Sequence, residues 1–444
     1  MIFSKKIRFW VRFLTTLIGK KQKIVFFGLI LGVFFYFFIP NVIKYLPKPG
    51  RTLKIGILGQ YQVNEIPTEI LKDISFGLTA LSEKGEPEPS LAESWTIHDD
   101  GNTYIFKISE KNLFWHDGKE FQIQDINYNF KDIEFSFSDG SLTFRLKEPF
   151  SPFLNILSKP LFRKGLIGLG SYKVKKITKS GKFVSSIYLT PVNNRSLPNK
   201  LYRFYNNEGD LKTGFNLGEI NIINNIFNLD NLYLGRNAKF EKHIMSNAYV
   251  GVFLNTGSPP FSNKSSRQAL AYAIQKESLP LRALGPIDPD SWAYNPDIKP
   301  YKEDLEHSRE LLKNEETNFK DLKIIISTML QFEKMAEIVK KNWEKLGIKA
   351  EIQIVSAVPE NFDVLIIARE IPSDPDQYYF WHSIQPGNLS NFKNPRIDKL
   401  LEDGRKIPDK EERKSVYFDF QRYLIEESPV IFLTHPVVFE VTRN

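Results

Sequence analysis

The sequence contains no cysteine among its 444 residues. That absence excludes disulfides, thiolate metal sites, a cysteine nucleophile and lipid attachment through cysteine. The six histidines form no HExxH pair and show no other paired metal-ligand spacing. A phosphate-binding GxxxxGK(S/T) loop and a GxSxG nucleophile motif are missing as well. The sequence therefore predicts a protein with no catalytic residues, no metal site and no cofactor.

Acidic residues are missing from the N-terminal part of the chain, where the first one is Glu65. Residues 1–51 hold ten of the 60 basic residues, which leaves 50 basic and 52 acidic residues for 52–444. The net charge of +8 thus comes from the N-terminal segment, and the rest of the chain is close to neutral. Because nucleic-acid-binding surfaces are strongly basic, we expect no nucleic-acid partner.

The sequence has one long run without charge, residues 24–43, and it is apolar throughout 24–39. As a helix, this run would be roughly 30 Å long, enough to cross a bilayer core. More basic residues precede the run than follow it, so residues 1–23 are predicted to be a cytoplasmic basic segment. A cleaved signal peptide is the alternative, but the run is long for one and lacks a small-residue cleavage site. We therefore predict a single-pass anchor in the cell membrane, a short linker at 44–51 and an extracytoplasmic domain.

Beyond the linker, the sequence pattern changes near residue 250. Residues 52–250 consist mainly of short alternating strands, two pairs of which are joined by Asp-Gly hairpin turns. Residues 251–425 alternate helical and strand patterns, which indicates a sheet covered by helices. Residues 426–444 hold two closing strands that we expect to return to the N-terminal lobe. The predicted fold is α/β and two-lobed, with a β-rich subdomain in the N-terminal lobe.

Five blocks of short motifs follow one another along this external part. They are Pro89–Trp95 with Asp100–Phe106 and Phe114–Gly118; Gly168–Tyr172; Phe253–Asn255 with Ser266–Ile274; Asp374-Pro375-Asp376 with Trp381; and Asn394-Pro395 with Asp398–Leu401. In this order they resemble family 5 of the extracellular solute-binding proteins, the dipeptide and oligopeptide receptors of ABC importers. With the flanking strands, the resemblance spans about residues 53–435.

The resemblance implies a type II periplasmic-binding-protein fold without enzymatic activity. It also implies a protein that captures a small solute, expected to be a peptide, between two lobes and delivers it to an ABC permease. Receptors of this family hold the amine of the ligand with an aspartate three residues before Asp-Pro, and that position is Ile371 in this sequence. Glu370 substitutes for it only if the loop shifts. This departure bears on specificity for free peptides rather than on the fold.

Nine residues are predicted to bind the ligand: Trp381, Asp374, Asp376, Glu370, Tyr378, Gln385, Asn388, Gln60 and Tyr61. The aromatic residues around position 380 form either a wall of the crevice or a core cluster. The three acids either attract a ligand amine or, for the two aspartates, cap a turn. The side-chain amides of Gln385 and Asn388 either form hydrogen bonds with a peptide backbone or lie in a solvated loop. Gln60 and Tyr61, which follow the first strand, are expected to line the mouth of the crevice.

Two other functions stay open on the sequence alone. The first is a ligand sensor or interaction module that has the same fold but no transporter, which the absence of a neighbouring permease gene would favour. The second is an anchored hydrolase, in which Asp374 or Asp376 would carry the chemistry. No nucleophile or base stands near these aspartates in the sequence, so hydrolysis is the weaker alternative.

Overall fold

The computed structural model describes residues 51–443, apart from 110–111, 139, 195, 236, 280 and 314–322, and a few residues before position 37. It divides into two units, 1–52 and 53–444. In the first unit, the described residues before position 37 are helical, and their aromatic side chains are exposed: Phe9, Phe27–Gly28, Leu31–Gly32 and Phe34–Tyr36.

The predicted N-terminal segments fall largely outside the described residues. This applies to the basic segment 1–23, to most of the anchor at 24–43 and to the linker 44–51 apart from Arg51. Among the helices that the structure describes, none has the length and apolarity that crossing a membrane requires.

The second unit contains the strands and the longer helices, and its first strand begins one residue before it, at Thr52. The strands are β1 (Thr52–Leu58), β2 (Thr79–Leu81), β3 (Pro87–Pro89), β4 (Ala92–His98), β5 (Thr103–Ile108), β6 (Glu134–Ser138), β7 (Ser141–Arg145), β8 (Tyr172–Ser180), β9 (Phe183–Pro191), β10 (Asn199–Tyr205), β11 (Ile222–Ile226), β12 (Ala238–Ile244), β13 (Ala248–Leu254), β14 (Lys323–Thr328), β15 (Lys349–Ile354), β16 (Val364–Glu370), β17 (Val430–Thr434) and β18 (Val437–Arg443). The α-helices are α1 (Thr68–Ile74), α2 (Phe153–Ile156), α3 (Glu208–Asn216), α4 (Lys264–Tyr272), α5 (Leu305–Lys313), α6 (Glu333–Glu344), α7 (Tyr378–Trp381), α8 (Pro395–Lys406) and α9 (Lys410–Glu427).

The N-terminal lobe is built on a seven-stranded sheet with the order β12-β18-β11-β1-β10-β9-β8. The first strand lies at its centre and pairs in parallel with β11, with Ile55 opposite Ile222. Helix α1 packs its buried Ile70 and Ile74 against the β8–β10 side of this sheet, and α3 packs beside β10 and β11. Neighbouring strand residues point to opposite faces, and Ile222 belongs to the core under α1 whereas Ile223 belongs to the core under α3, so the two helices cover opposite faces of the sheet.

A β-rich subdomain is inserted between α1 and β8. Its four-stranded sheet has the order β4-β5-β7-β6, and it contains both hairpins that the Asp-Gly turns predict. The core of the subdomain is strongly aromatic, with rings of Tyr104, Phe144 and Phe153 in edge-to-face contact. It joins the N-terminal lobe through the short segments on either side, where Gly170 donates its N–H to the carbonyl of Ile74 at 2.8 Å.

The α/β lobe has a five-stranded sheet with the order β15-β14-β16-β13-β17. Every residue of β13 is buried, as expected for a central strand that is covered on both faces. Two of the covering helices begin at strong N-caps. The Asn394 side chain accepts hydrogen bonds from the first N–H groups of α8, and Pro395 occupies the first helical position. The Asp409 side chain accepts a hydrogen bond at the start of α9 in the same way.

Two chain segments cross between the lobes and lie side by side. Residues 245–247 connect β12 to β13, and residues 435–436 connect β17 to β18. They are joined by a hydrogen bond from Met245 N to Pro436 O of 3.0 Å, and the ring of His435 lies 2.8 Å from the carbonyl of Ala248. Paired crossovers of this kind form a hinge about which two lobes can rotate.

Of the two closing strands, only one returns to the N-terminal lobe. β18 pairs with β11 and β12 there, whereas β17 pairs with β13 in the α/β lobe, with Val252 opposite Ile431. The expectation that all of residues 426–444 return is therefore corrected for β17. The physical reason is its composition: all five of its residues are buried, and an apolar strand of this kind needs a sheet that is covered on both faces.

Candidate functional site

The crevice between the lobes lies where the strands of both sheets end. In the α/β lobe, β16 ends at Glu370, which pairs with Ala248 directly after the first crossover. In the N-terminal lobe, β11 ends at Ile226, which pairs with Phe439 just after the second crossover. The carboxyl ends of parallel strands from two sheets thus face each other across the hinge. Open α/β sheets bind their ligands at this edge.

An aromatic contact closes the crevice next to the hinge. Phe227 follows β11 in the N-terminal lobe, and Phe332 precedes α6 in the α/β lobe. Their ring centroids are 5.0 Å apart in an edge-to-face arrangement, and Phe332 is buried. This contact forms an apolar floor between the two lobes.

Three of the predicted ligand residues lie at this crevice. Tyr61 is anchored on the N-terminal lobe, where its hydroxyl donates to Leu58 O at 3.1 Å and its ring packs on Phe204 at 5.4 Å. Burial raises the pKa of Tyr61, and the negative charges of Glu370 and Glu69 raise it further. The Glu370 carboxylate of the opposite lobe is thus close enough to act on this phenol. Gln60 and Glu370 are both exposed.

The end of β16 offers an open backbone edge. Its last pairing with β14 is Ile366 opposite Thr328, whereas its pairing with β13 continues to Glu370. In the part of the chain that the structure describes, no strand pairs with residues 367–370 on the β14 side. Backbone N–H and C=O groups at such an edge form hydrogen bonds with an extended chain that is added as a further strand.

The predicted acids of the Asp-Pro-Asp turn are occupied by arginines. Asp374 and Asp376 each accept a backbone N–H from two residues further along, at 2.9 and 3.0 Å, as turn caps do. Arg413 forms two hydrogen bonds with the carboxylate of Asp374, at 2.6 and 3.0 Å. The Nε atom of Arg405 lies 3.1 Å from Asp376, and its guanidinium also covers the ring of Tyr378 at 4.3 Å. Burial raises the pKa of Asp376, and the charge of Arg405 opposes that rise.

The other predicted ligand residues lie inside the α/β lobe. Trp381 is 1% exposed and stacks on Phe253, with ring centroids 6.3 Å apart. Asn388 is 6% exposed and bonds Phe392 twice, through its amide nitrogen at 2.6 Å and its carbonyl oxygen at 3.2 Å. Gln385 is half-buried in the same loop. Among the described residues, no hydrogen bond or ring contact joins these three side chains to Tyr61 or Glu370.

Two polar residues beside the crevice edge are absent from the predicted set. Arg369 precedes Glu370, and its guanidinium lies between the rings of Phe253 and Phe380, at 5.0 and 4.6 Å. It donates to the carbonyl of Gly387 at 2.7 Å, and no carboxylate among the described residues forms an ion pair with it. Its strand neighbour Tyr249 is buried. The sequence signal is an arginine next to the last residue of an otherwise apolar strand.

Comparisons with known proteins agree with this architecture. The family model for bacterial extracellular solute-binding proteins, family 5 Middle, matches residues 86–136 and 137–391. The oligopeptide-binding protein AppA of Bacillus subtilis is 25% identical, with 88% of this chain and 87% of AppA covered. The dipeptide-binding protein of Escherichia coli is 22% identical, with 80% and 82% covered.

Solved structures show the same fold. NikZ from Campylobacter jejuni, in complex with Ni(L-His), superposes with a TM-score of 0.76 at 24% identity and covers 90% of this chain and 95% of NikZ. AppA from Bacillus subtilis, in complex with a nonapeptide, gives a TM-score of 0.71 at 24% identity, with the same coverage. The predicted two-lobed α/β periplasmic-binding-protein fold is confirmed by these likenesses.

Proposed function

Because the chain belongs to the bacterial extracellular solute-binding proteins of family 5, which are binding receptors and not enzymes, we propose that its solute is a peptide. The peptide is captured between the two lobes and delivered to the permease of an ABC importer. The observation that carries this proposal is the open edge of β16 at residues 367–370, which faces the crevice. An extended peptide completes that edge as an additional strand.

Backbone pairing explains how such a receptor accepts many sequences. Every peptide offers the same N–H and C=O groups, so hydrogen bonds to an open strand edge give affinity without selecting side chains. The hinge at 245–247 and 435–436 then closes the lobes over the ligand and produces a shape that a permease can recognise. No bond is made or broken in the solute.

The amine of the peptide is proposed to bind Glu370. Ile371 is 7% exposed and belongs to the core of the α/β lobe, so it offers no charge to the crevice. Glu370 is exposed next to it, and its negative charge acts on Tyr61 across the crevice together with that of Glu69. Two carboxylates on opposite lobes would attract a ligand ammonium as the lobes close.

The other predicted ligand residues have different proposed roles. Gln60 and Tyr61 contact the ligand from the N-terminal lobe. Asp374 and Asp376 act through their arginines and not through direct contact, because both carboxylates already have partners. Trp381 and Asn388 support the loop from within the lobe, and a ligand contact of Gln385 stays a prediction.

The anchor is proposed from the sequence run 24–43 and places the solute-binding domain on the extracytoplasmic side. An anchored receptor stays near its permease without a lipid, which this cysteine-free chain cannot carry on a cysteine. Carbonate extraction of membranes tests this point. We expect the full-length chain to remain in the membrane pellet and a variant without residues 1–43 to be released, whereas release of both would contradict the anchor.

The identity of the solute is tested by two measurements on the purified full-length chain. Mass spectrometry of co-purifying small molecules is expected to detect short peptides. Calorimetric titration with tetraalanine should show binding, and N-methylation of its central amides should weaken that binding about tenfold because N–H donors are lost. Equal affinities would contradict strand pairing. A sugar or a metal chelate as the sole co-purified solute would contradict a peptide ligand.

A further inference from the structure

The corner between α8 and α9 belongs to the α/β lobe, yet it contacts the β-rich subdomain of the other lobe. We define this latch corner as residues 405–410. Ser151 of the subdomain donates its N–H to Arg405 O at 2.7 Å, and its hydroxyl donates to Ile407 O. The carbonyls at a helix C-terminus lack partners within the helix, so Ser151 caps α8 from the neighbouring lobe.

Two ion pairs flank this cap. Lys406 pairs with Glu148 at 2.6 Å, and Lys410 pairs with Glu86 at 2.5 Å. The cations come from the latch corner and the acids come from the subdomain. All four side chains are well exposed, so each pair contributes little alone and is screened by salt.

A third connection passes through Arg405. Its guanidinium lies 4.9 Å from the ring centre of Phe150 in the subdomain and 4.3 Å from that of Tyr378 in its own lobe. Its Nε atom pairs with Asp376 at 3.1 Å. A planar cation between two rings and a carboxylate has a fixed orientation, which lysine does not reproduce.

The ion pair between Arg405 and Asp376 links the latch corner to the loop that follows Glu370. Asp374 and Asp376 close the turn that follows Glu370, and Arg413 holds the carboxylate of Asp374. On the subdomain side, the backbone of Gly85 lies against this loop, because a side chain there would place its Cβ 2.7 Å from the carbonyl of Ser373. The loop is therefore held by both lobes.

We propose that the latch corner and the Asp-Pro-Asp turn form a salt-sensitive latch between the β-rich subdomain and the α/β lobe. When Phe150 and Ser151 dock on the corner, the β-rich subdomain is held against the α/β lobe and the crevice between them is closed. Because Arg405 is tied to Asp376, docking also fixes the loop that carries Glu370. Asp374 and Asp376 are thus positioning residues that couple lobe closure to the crevice edge.

The latch can be tested without any ligand, so the result does not depend on whether the solute is a peptide. The chain has no cysteine of its own, and Ser136 of the subdomain and Lys341 of the α/β lobe are exposed. Spin labels on Ser136→Cys and Lys341→Cys in the full-length chain report the distance between the lobes by pulsed electron resonance. We expect Arg405→Met to lower the ratio of closed to open molecules about fivefold, because it removes the cation–π contact between the Arg405 guanidinium and the ring of Phe150.

A matched control lies on the same helix. Lys399 pairs with Asp403 at 2.7 Å on α8, and no ion pair among the described residues joins either side chain to the subdomain, so Lys399→Met should leave the distance distribution unchanged. Raising the salt concentration should open the parent protein, and Arg405→Lys should behave more like Arg405→Met than like the parent. An unchanged distribution in a folded Arg405→Met variant, or equal opening in the Lys399→Met control, would overturn the latch.

Discussion

Three acids stand within seven residues of one loop and meet different surroundings. Glu370 is exposed at the end of β16, and no cation among the described residues pairs with it. Asp374 and Asp376, a few residues further on, are each held by an arginine from α8 or α9. The three acids are close together in the sequence. Their different surroundings come from helices α8 and α9, whose arginines lie about 30 to 40 positions further along the chain.

Negative charge thus has two uses in this segment of the chain. A carboxylate that already has a buried arginine is costly to redirect toward a ligand, because the arginine would lose its partner. A carboxylate at an open strand edge keeps its hydrogen-bonding capacity for a solute. A carboxylate therefore supports the fold at the two aspartates and is available for binding at Glu370.

The largest effect is expected from Arg413→Met. The side chains of Arg413 and Asp374 are 6% and 12% exposed, so the change leaves a nearly buried carboxylate without its cation. Breaking such a pair destabilises a protein by about 3–5 kcal/mol. Urea unfolding of the full-length chain, followed by near-ultraviolet circular dichroism, measures the loss.

The matched control for this change is Arg422→Met on the same helix. Arg422 pairs with Asp419 at 2.8 Å, but both side chains are about half exposed. Its replacement should change the free energy of unfolding by less than about 1 kcal/mol. If both substitutions cost the same, Asp374 does not depend on a buried partner, and the contrast between the acids disappears.

The second acid of the turn gives a pH dependence. Burial raises the pKa of Asp376 in the folded protein, and Arg405 opposes that rise. With a raised pKa, the folded state binds more protons than the unfolded state, so stability falls as pH increases above the unfolded value. Arg405→Met should steepen this fall, because the folded pKa rises further. Unfolding midpoints measured from pH 3.5 to 7 test the slope, and parallel curves for the two proteins would contradict the pairing.

A smaller effect is expected from Glu370→Gln, and it concerns binding rather than folding. The free energy of unfolding should change by less than about 0.5 kcal/mol, as for most surface substitutions. Affinity for tetraalanine should fall about tenfold, because a charge-assisted hydrogen bond to the ligand amine is lost. N-acetylated tetraalanine serves as the control ligand, since it has no ammonium group to lose. An equal loss for both ligands would remove Glu370 from the amine site.

Local patterns of the sequence were enough to predict most of the elements. The Asp-Gly turns predict both hairpins of the β-rich subdomain, and the apolar run at 362–368 predicts the strand that is β16. Strand β10 is absent from the predicted elements. Its segment contains the charged residues Lys200 and Arg203 and follows a polar stretch, so its local pattern does not stand out as a strand. Its place between β9 and β1 depends on long-range pairing.

The candidate site was less predictable than the fold, because tertiary partners decide it. Tyr61 and Glu370 are 309 positions apart in the sequence, and only the packing of the lobes brings them near each other. The ring of Trp381 faces Phe253 rather than open space, which follows from the position of α7 on the sheet. The sequence offered crevice wall and core as alternatives for this residue, and its burial favours the core.

The smallest effect tests whether the two sides of the crevice are as close as described. Burial raises the pKa of Tyr61 first, and the charges of Glu370 and Glu69 add to that rise. Glu370→Gln should therefore lower the pKa of Tyr61 toward the usual range without reaching it, because the burial remains. Alkaline titration of the phenol absorbance, taken as the difference from Tyr61→Phe in each background, isolates this group among the 18 tyrosines. The Glu69→Gln variant should give a smaller shift in the same direction, since its charge contributes less. A Tyr61 pKa that does not respond to Glu370→Gln would mean that the lobes are farther apart in solution, and Glu370 would then no longer share a site with Tyr61.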